Sequence, residues 1–409
     1  METFALSDLR IVDFTWVLSG PYATKMLADQ GAQVIKIESA STVFAFYHTP
    51  DSAPQGQESL EELDRGPAAD LLNRNKLSVT LNLKTARGLE IVKRLIRISD
   101  VVVENFSATG MEKLGLDYPA VREENPKIIM VSMAGFGHTG PYRNYISHGM
   151  TLQAMCGIDD ITGYPDGAPM EPGVTFMDYA AGSHAAIAVL AALRHRNRTG
   201  EGQYIDLGQY DLGCSLAGLS LFDYTVNGRV QTRVGNRHHY ASPHGCYRCR
   251  GEDRWCTLAV FTEEEWQKTC KVMEDPAWSS DPKFASPLGR LRNREELDRL
   301  IETWTSKHTP EDVMHLMQQN GVEAGVVQNI EDLITKDKHL ESRGLYREVP
   351  HPTRFETIME GIPYKASRTP GKITTACPFP GEHNEYICRD MLGMSGEEFE
   401  ECRRNEVFS

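Results

Sequence analysis

No apolar run in the 409 residues approaches the ~18 needed to span a bilayer, so no membrane partner is expected. Positive charge is scarce. Against 57 Asp and Glu stand 43 Lys and Arg, a net charge of −14, and this argues against nucleic acid or an anionic surface as partner. It leaves room for a small anion, which a local Lys or Arg can hold. Internal repeats and low-complexity tracts are missing, so neither a solenoid nor a disordered chain is indicated. The first βα turn lacks G-x-G-x-x-G, and with it the dinucleotide fingerprint. Cys246 and Cys249 form a C-x-x-C, but no second pair stands at zinc-ribbon spacing, so no metal site is assigned. The N-terminal METFALSDLRIVDF has no signal-peptide architecture. An odd set of nine scattered cysteines then points to reduced thiols and a cytoplasmic location.

What is present reads as α/β. Leu9 to Phe14 is a short apolar strand, 16–21 a turn, Tyr22 to Gln30 a helix ended by Gly31, and 33–37 a second strand. Such a βαβ unit builds a parallel sheet. Further strands are expected at 77–81, 101–103, 128–132 and 203–207. Helices are expected at 85–98, 149–157 and 211–226. The alternation is doubly wound, and ligands of such folds sit beyond the carboxyl ends of the strands. Residues 41–72 are polar and irregular, a loop long enough to shape a substrate pocket. From Gly228 the texture changes to a hairpin at 245–260, three helices and a strand at 322–327. The domains expected are therefore 1–227 (large, Rossmann-like), 228–335 (small, α+β) and 336–409 (a C-terminal segment returning to the large domain).

The stretch of most chemical interest is 162–191, where a turn-rich loop leads through Asp178 into small and apolar residues that read as a buried helix. An aspartate at a helix start lies at the positive end of the dipole. It is either an ordinary N-cap or a shielded carboxylate nucleophile. The basic run Arg194–Arg198 either caps that helix's C-terminus or meets phosphate.

In this order the signals resemble the class III coenzyme A-transferases, the family of formyl-CoA, carnitine-CoA and benzylsuccinate-CoA transferases. The resemblance covers nearly the whole chain. It rests on D-F-T-x-V-x-x-G-P (13–21), G-A-x-V-I-K-I-E (31–38), L-N-L-K-T (81–85), V-E-N-F (103–106), G-L-D-Y (115–118), T-G-Y-P-D-G-x-P (162–169), T-G-E-G-Q-Y-I-D (199–206), G-N-R (235–237), G-x-Y-x-C (245–249) and G-E-H-N (381–384). It implies CoA transfer from an acyl-CoA to a free carboxylic acid through a covalent aspartyl intermediate at Asp178. No permanently bound cofactor is implied; coenzyme A enters as substrate. Val17, Leu81, Lys84, Asn105, Phe106 and Lys113 fall where relatives contact CoA. Leu18, Ser19, Ala134, Gly135, His148, His238 and Tyr240 are substrate or oxyanion candidates. The implied assembly is an interlocked-ring homodimer, with hetero-pairing to a related subunit as a variant.

Some positions depart from the formyl-CoA transferase pattern. His238 to Ser242 replaces a tetraglycine loop, Ser39 replaces an arginine, and Ala134 replaces a lysine. These changes argue against formate and oxalate, and T-L-Q-A-M-C-G-I (151–158) with T-G-Y-P-D-G resembles the subgroup around benzylsuccinate and longer acyl substrates, which implies an apolar or mixed acyl group. A second resemblance implies a different activity: Ser147-His148-Gly149, thirty residues before Asp178, is similar to the G-H-D segment of α-methylacyl-CoA racemases, though without the Asp, and implies a 2-methylacyl-CoA racemase or epimerase using His148 and Asp178 as acid and base. As a bland alternative His148 is a polar turn residue. A third possibility is a catalytically silent CoA-binding subunit, against which the intact Asp178 argues.

Overall fold

The computed structural model describes residues 4–39, 71–350 and 357–408. The loop expected at 41–72 lies almost wholly outside the described residues. The chain divides into two compact units: 1–158 with 171–229 and 341–409, and 159–170 with 230–340.

The first unit is built on six strands: β1 (Arg10–Asp13), β2 (Gln33–Glu38), β3 (Lys76–Thr80), β4 (Val101–Glu104), β5 (Ile129–Ser132) and β6 (Tyr204–Asp206). Every pairing is parallel and the spatial order is β3-β2-β1-β4-β5-β6. The inner strands are buried on both faces, which is why they read as unbroken apolar runs rather than alternations. Strand order reverses between β1 and β4, and the crevice above that switch point is where a doubly wound sheet takes its ligand.

Helix α1 (Ser19–Ala28) begins three residues earlier than the sequence pattern suggests, so the expected turn at 16–21 shrinks to Trp16–Leu18. It packs on the 24-residue helix Phe176–Thr199, and small residues set the distance. A Cβ on Gly182 would lie 2.6 Å from the Ser19 carbonyl oxygen, so glycine is what permits this approach. By length and composition Phe176–Thr199 is apolar enough to cross a membrane, contrary to the expectation that no such run exists. Its buried face, Met177, Ala181, Ala185 and Val189, belongs to one of the apolar clusters flanking the sheet. The expected helix 211–226 is two helices, Gln209–Leu216 and Gly218–Asn227, broken at Ala217.

The C-terminal segment rejoins this unit. His383 N–H donates to the Ser78 carbonyl at 3.0 Å and Thr80 N–H to Asn384 Oδ1 at 2.9 Å. The segment thereby covers the edge of β3, which would otherwise expose a row of unpaired amides. An antiparallel pair, Tyr346–Val349 with Thr357–Glu360, also lies here. Beneath the switch point sits a buried ion pair. Asp13 accepts from Lys76 Nζ at 3.1 Å, Thr24 Oγ1 at 2.6 Å, and both Thr15 N–H and Oγ1 at 2.8 and 2.5 Å. Burial opposes its charge, but Lys76, Lys36 and the two hydroxyls outweigh this and hold the Asp13 carboxyl below its ordinary range.

The second unit carries an antiparallel three-stranded sheet (His244–Arg248, Trp255–Ala259, Glu323–Val326) against helices that include Glu263–Val272, Arg294–Thr305 and Pro310–Gln319. The segment 159–170 joins it because Gly235 N–H donates to the Gly163 carbonyl at 2.8 Å and Arg233 pairs with Asp160 at 2.8 Å. These polar turn contacts have no periodic signature, so a boundary drawn near residue 228 misses them.

Candidate functional site

A cavity of about 510 Å³ opens at the switch point. Its floor and walls come from the ends of three strands: Trp16–Ser19 after β1, Asn105–Ala108 after β4, and Met133–Phe136 after β5. The remaining wall is 143–150, Thr175 and Asp178, with Gln209 and Leu152 behind. The sheet thus gathers Val17, Leu18, Ser19, Asn105, Phe106, Ala134, Gly135, His148 and Asp178 around one space.

Asp178 is the third residue of its helix, and Thr175 takes the N-cap position. The carboxylate therefore lies in the first turn, toward the positive helix end, without serving as the cap. It is partly buried. Burial raises its pKa from 3.8 to about 6, while the nearby His148 and Ser19 pull the other way. The carboxylate fits because residue 149 is glycine: a Cβ there would stand 2.1 Å from Asp178 Oδ2. His148 precedes a short helix, Gly149–Met155, and its N–H donates to Thr151 Oγ1 at 2.9 Å.

The opposite wall is held by side-chain amides. Ser19 is buried, and its Oγ accepts from Gln209 Nε2 at 3.3 Å and Asn105 Nδ2 at 3.4 Å. Asn105 also bridges to Trp16, accepting its N–H at 2.9 Å and donating to its carbonyl at 2.8 Å. Trp16 and Phe106 meet edge to face at 5.5 Å. Between them Val17 adopts φ +63°, a left-handed conformation that a β-branched residue rarely takes. Such strain gathers at functional sites, where surrounding contacts impose it. Among the described residues the N–H groups of Leu18, Ser19, Ala134 and Gly135 meet no acceptor within the chain. All four residues line the cavity with Asp178, and two of them belong to the start of α1.

Other residues singled out from the sequence lie elsewhere. Leu81 is fully buried in the apolar cluster on the far side of the sheet, so its side chain is core and a ligand could meet its backbone alone. Lys84 and Lys113 are exposed, at a turn after β3 and at the end of the helix Gly110–Lys113. Neither lines the cavity. His238 and Tyr240 belong to the second unit, stacked edge to face at 4.2 Å beside His244 and Phe261. Trp16, Gln209, Thr175 and the turn 143–147 were not anticipated. Trp16 is the variable position of D-F-T-x-V, whereas a single Gln on a helix carries no signal.

The model of CoA-transferase family III matches residues 6–384. The chain belongs to this family. As a family III CoA-transferase it is 34% identical over 392 residues to a succinate–glutarate CoA-transferase of Agrobacterium fabrum, covering 94% of this chain and 95% of that one. It is 32% identical to a formyl-CoA:oxalate CoA-transferase of Afipia carboxidovorans, over 98% and 96% of the two chains. A crystal structure of a CAIB/BAIF family protein from Brucella suis superimposes with a TM-score of 0.85 at 30% identity, over 95% and 99% of the chains. The protein is thus an enzyme that moves coenzyme A between an acyl-CoA and a carboxylate, on the α/β fold of its family.

Proposed function

We propose that this CoA-transferase works through a covalent intermediate on Asp178. The carrying observation is a single partly buried carboxylate, raised to about 6, facing a set of unsatisfied backbone donors across one cavity. In the first step an Asp178 oxygen attacks the thioester carbonyl, the C–S bond breaks, and CoA leaves as thiolate, giving a mixed anhydride. The thiolate attacks the Asp178 acyl carbon, expelling the donor acid as carboxylate and leaving an aspartyl-CoA thioester. The acceptor carboxylate attacks that thioester, and the released thiolate captures the new acyl group and restores Asp178. Protons balance without a net acid or base. The N–H groups of Leu18, Ser19, Ala134 and Gly135 supply the donors for the tetrahedral oxyanions. The apolar wall of Trp16 and Phe106 limits water, which would hydrolyse both intermediates.

Val17, Asn105 and Phe106 are assigned to the CoA arm, and the exposed Lys84 and Lys113 to its phosphates. Relatives named for succinate, glutarate and oxalate point to diacids as substrates, and away from a purely apolar acyl group. Self-association is part of the proposal. The helix Gly218–Asn227 leaves Leu219, Leu221, Phe222, Tyr224 and Val226 exposed, Leu219 at 85%, and so large an exposed apolar patch calls for a cover. A second copy of the chain, interlocked as a ring, is the cover proposed.

The test is exchange. The purified protein is incubated with succinyl-CoA and a panel of carboxylic acids, and new acyl-CoA species are followed by mass spectrometry. New thioesters, lost in Asp178→Ala, support the reading. Because His148 shares the cavity with Asp178, the assay is repeated in D2O with a 2-methylacyl-CoA. Deuterium entering the α carbon without acyl exchange would make the enzyme a racemase instead.

A further inference from the structure

Among the described residues lining the cavity, Asp178 is the one carboxylate and Arg143 the one permanent cation. Elsewhere a cavity-side arginine can find a carboxylate, as Arg196 does with Asp100 at 2.9 Å. Arg143 has no ion pair and no side-chain hydrogen bond among the described residues. The side chain is exposed at the cavity rim, on an anchored turn. The turn that carries it is pinned from both sides: Tyr142 and Tyr145 stack at 4.7 Å, and both meet Phe136 edge to face at 5.8 and 5.9 Å. Phe136 is itself buried at the end of β5. An unpaired guanidinium on an anchored turn over a reaction cavity calls for an anionic ligand group.

Two groups of an acyl-CoA are anionic: a second carboxylate on the acyl moiety and the phosphates of CoA. The phosphates lie beyond the pantetheine arm, about as long as four extended residues, ~14 Å. A cavity of this volume is about 10 Å across if round. A group sharing it with Asp178 is within reach of the acyl end rather than the nucleotide end.

We propose that Arg143 is a specificity residue that binds the distal carboxylate of a dicarboxylic acyl group while the proximal carbonyl faces Asp178. This rests on the reading of Asp178 as the reacting carboxylate. Guanidinium and carboxylate match as a two-pronged pair, which fixes orientation as well as charge. A monocarboxylic acyl group of equal length leaves the guanidinium unpaired.

The test uses acyl-CoA pairs that differ in the terminal carboxylate alone: succinyl-CoA against butyryl-CoA, and glutaryl-CoA against pentanoyl-CoA. Arg143→Gln should lower kcat/KM for the dicarboxylic member by at least about tenfold, the worth of one charged hydrogen bond, and change the other less than about twofold. Arg143→Lys should fall between. A readout without turnover is calorimetric titration of free glutarate and free pentanoate. Wild type should prefer glutarate, and Arg143→Gln should lose that preference with its CoA affinity unchanged. Equal losses for both members of each pair would place Arg143 on CoA and overturn the proposal, as would no loss at all. If Asp178→Ala still transfers CoA, the mechanism fails, and the glutarate titration still decides the role of Arg143.

Discussion

Replacing Asp178 by Asn should make the protein more stable at neutral pH while abolishing transfer. The carboxyl's ordinary value of 3.8 rises to about 6 in the folded chain, because burial disfavours the charged form. Below pH 3.8 both folded and unfolded chains hold the proton, and no penalty exists. As pH climbs through 3.8 to about 6 the unfolded chain ionises first, so folded stability falls across that window. Above it the penalty is complete and constant. At ~1.4 kcal/mol per tenfold the gap is on the order of 3 kcal/mol. Water at the cavity mouth screens the carboxylate and brings this to about 1–2 kcal/mol. The amide of Asn is nearly isosteric and carries no charge to desolvate. Thermal unfolding followed by circular dichroism should show Asp178→Asn melting about 1–2 °C higher than wild type at pH 7.5, with the offset gone near pH 3.5. A variant melting at or below wild type at pH 7.5, or an offset that persists at low pH, would refute the reasoning. The same destabilised carboxylate is the more reactive one, which links the stability cost to nucleophilicity.

Three further outcomes follow from the same geometry. His148→Ala should retain transfer within about tenfold but move the acid limb of the pH–rate profile upward, because His148 holds the Asp178 value down; a kcat/KM profile unchanged by the substitution would contradict this. Gly149→Ala should lower kcat by about a hundredfold with the fold intact, since its Cβ would stand 2.1 Å from Asp178 Oδ2; unaltered turnover would show that the carboxylate has room to spare. Asp13→Ala should cost about 3–5 kcal/mol in urea unfolding by leaving Lys76 buried and uncompensated, and adding Lys76→Met should recover part of it; strictly additive losses would contradict the pairing.

Much of the sheet was legible because parallel strands buried on both faces write themselves as short apolar runs, and Gly31, in the left-handed region at φ +97°, marked the end of α1. The start of α1 was hidden by Gly20 and Pro21, which read as a turn and instead occupy the helix's first residues. The break at Ala217 divides a stretch whose apolar pattern runs on without interruption. Motif resemblance singles out Asp178, Val17, Asn105 and Phe106, which the fold brings around one cavity, but it does not tell a wall residue from a core residue. Leu81 shows this, since its motif position implies a CoA contact while its side chain fills the core. Gln209 and Arg143 were illegible for another reason. Each is an ordinary polar residue whose meaning comes from what the fold places beside it. The assignment of 159–170 to the second unit has the same cause, resting on turn hydrogen bonds between distant segments.

The central claim is that Asp178 becomes covalently modified. The direct measurement is to mix the protein with an acyl-CoA in the absence of acceptor, quench with hydroxylamine, and map the modified peptide by mass spectrometry. The account predicts a hydroxamate on Asp178 formed within one turnover, absent in Asp178→Asn and absent without acyl-CoA. Transfer that proceeds with no adduct at Asp178, or with the adduct on another residue, would contradict it.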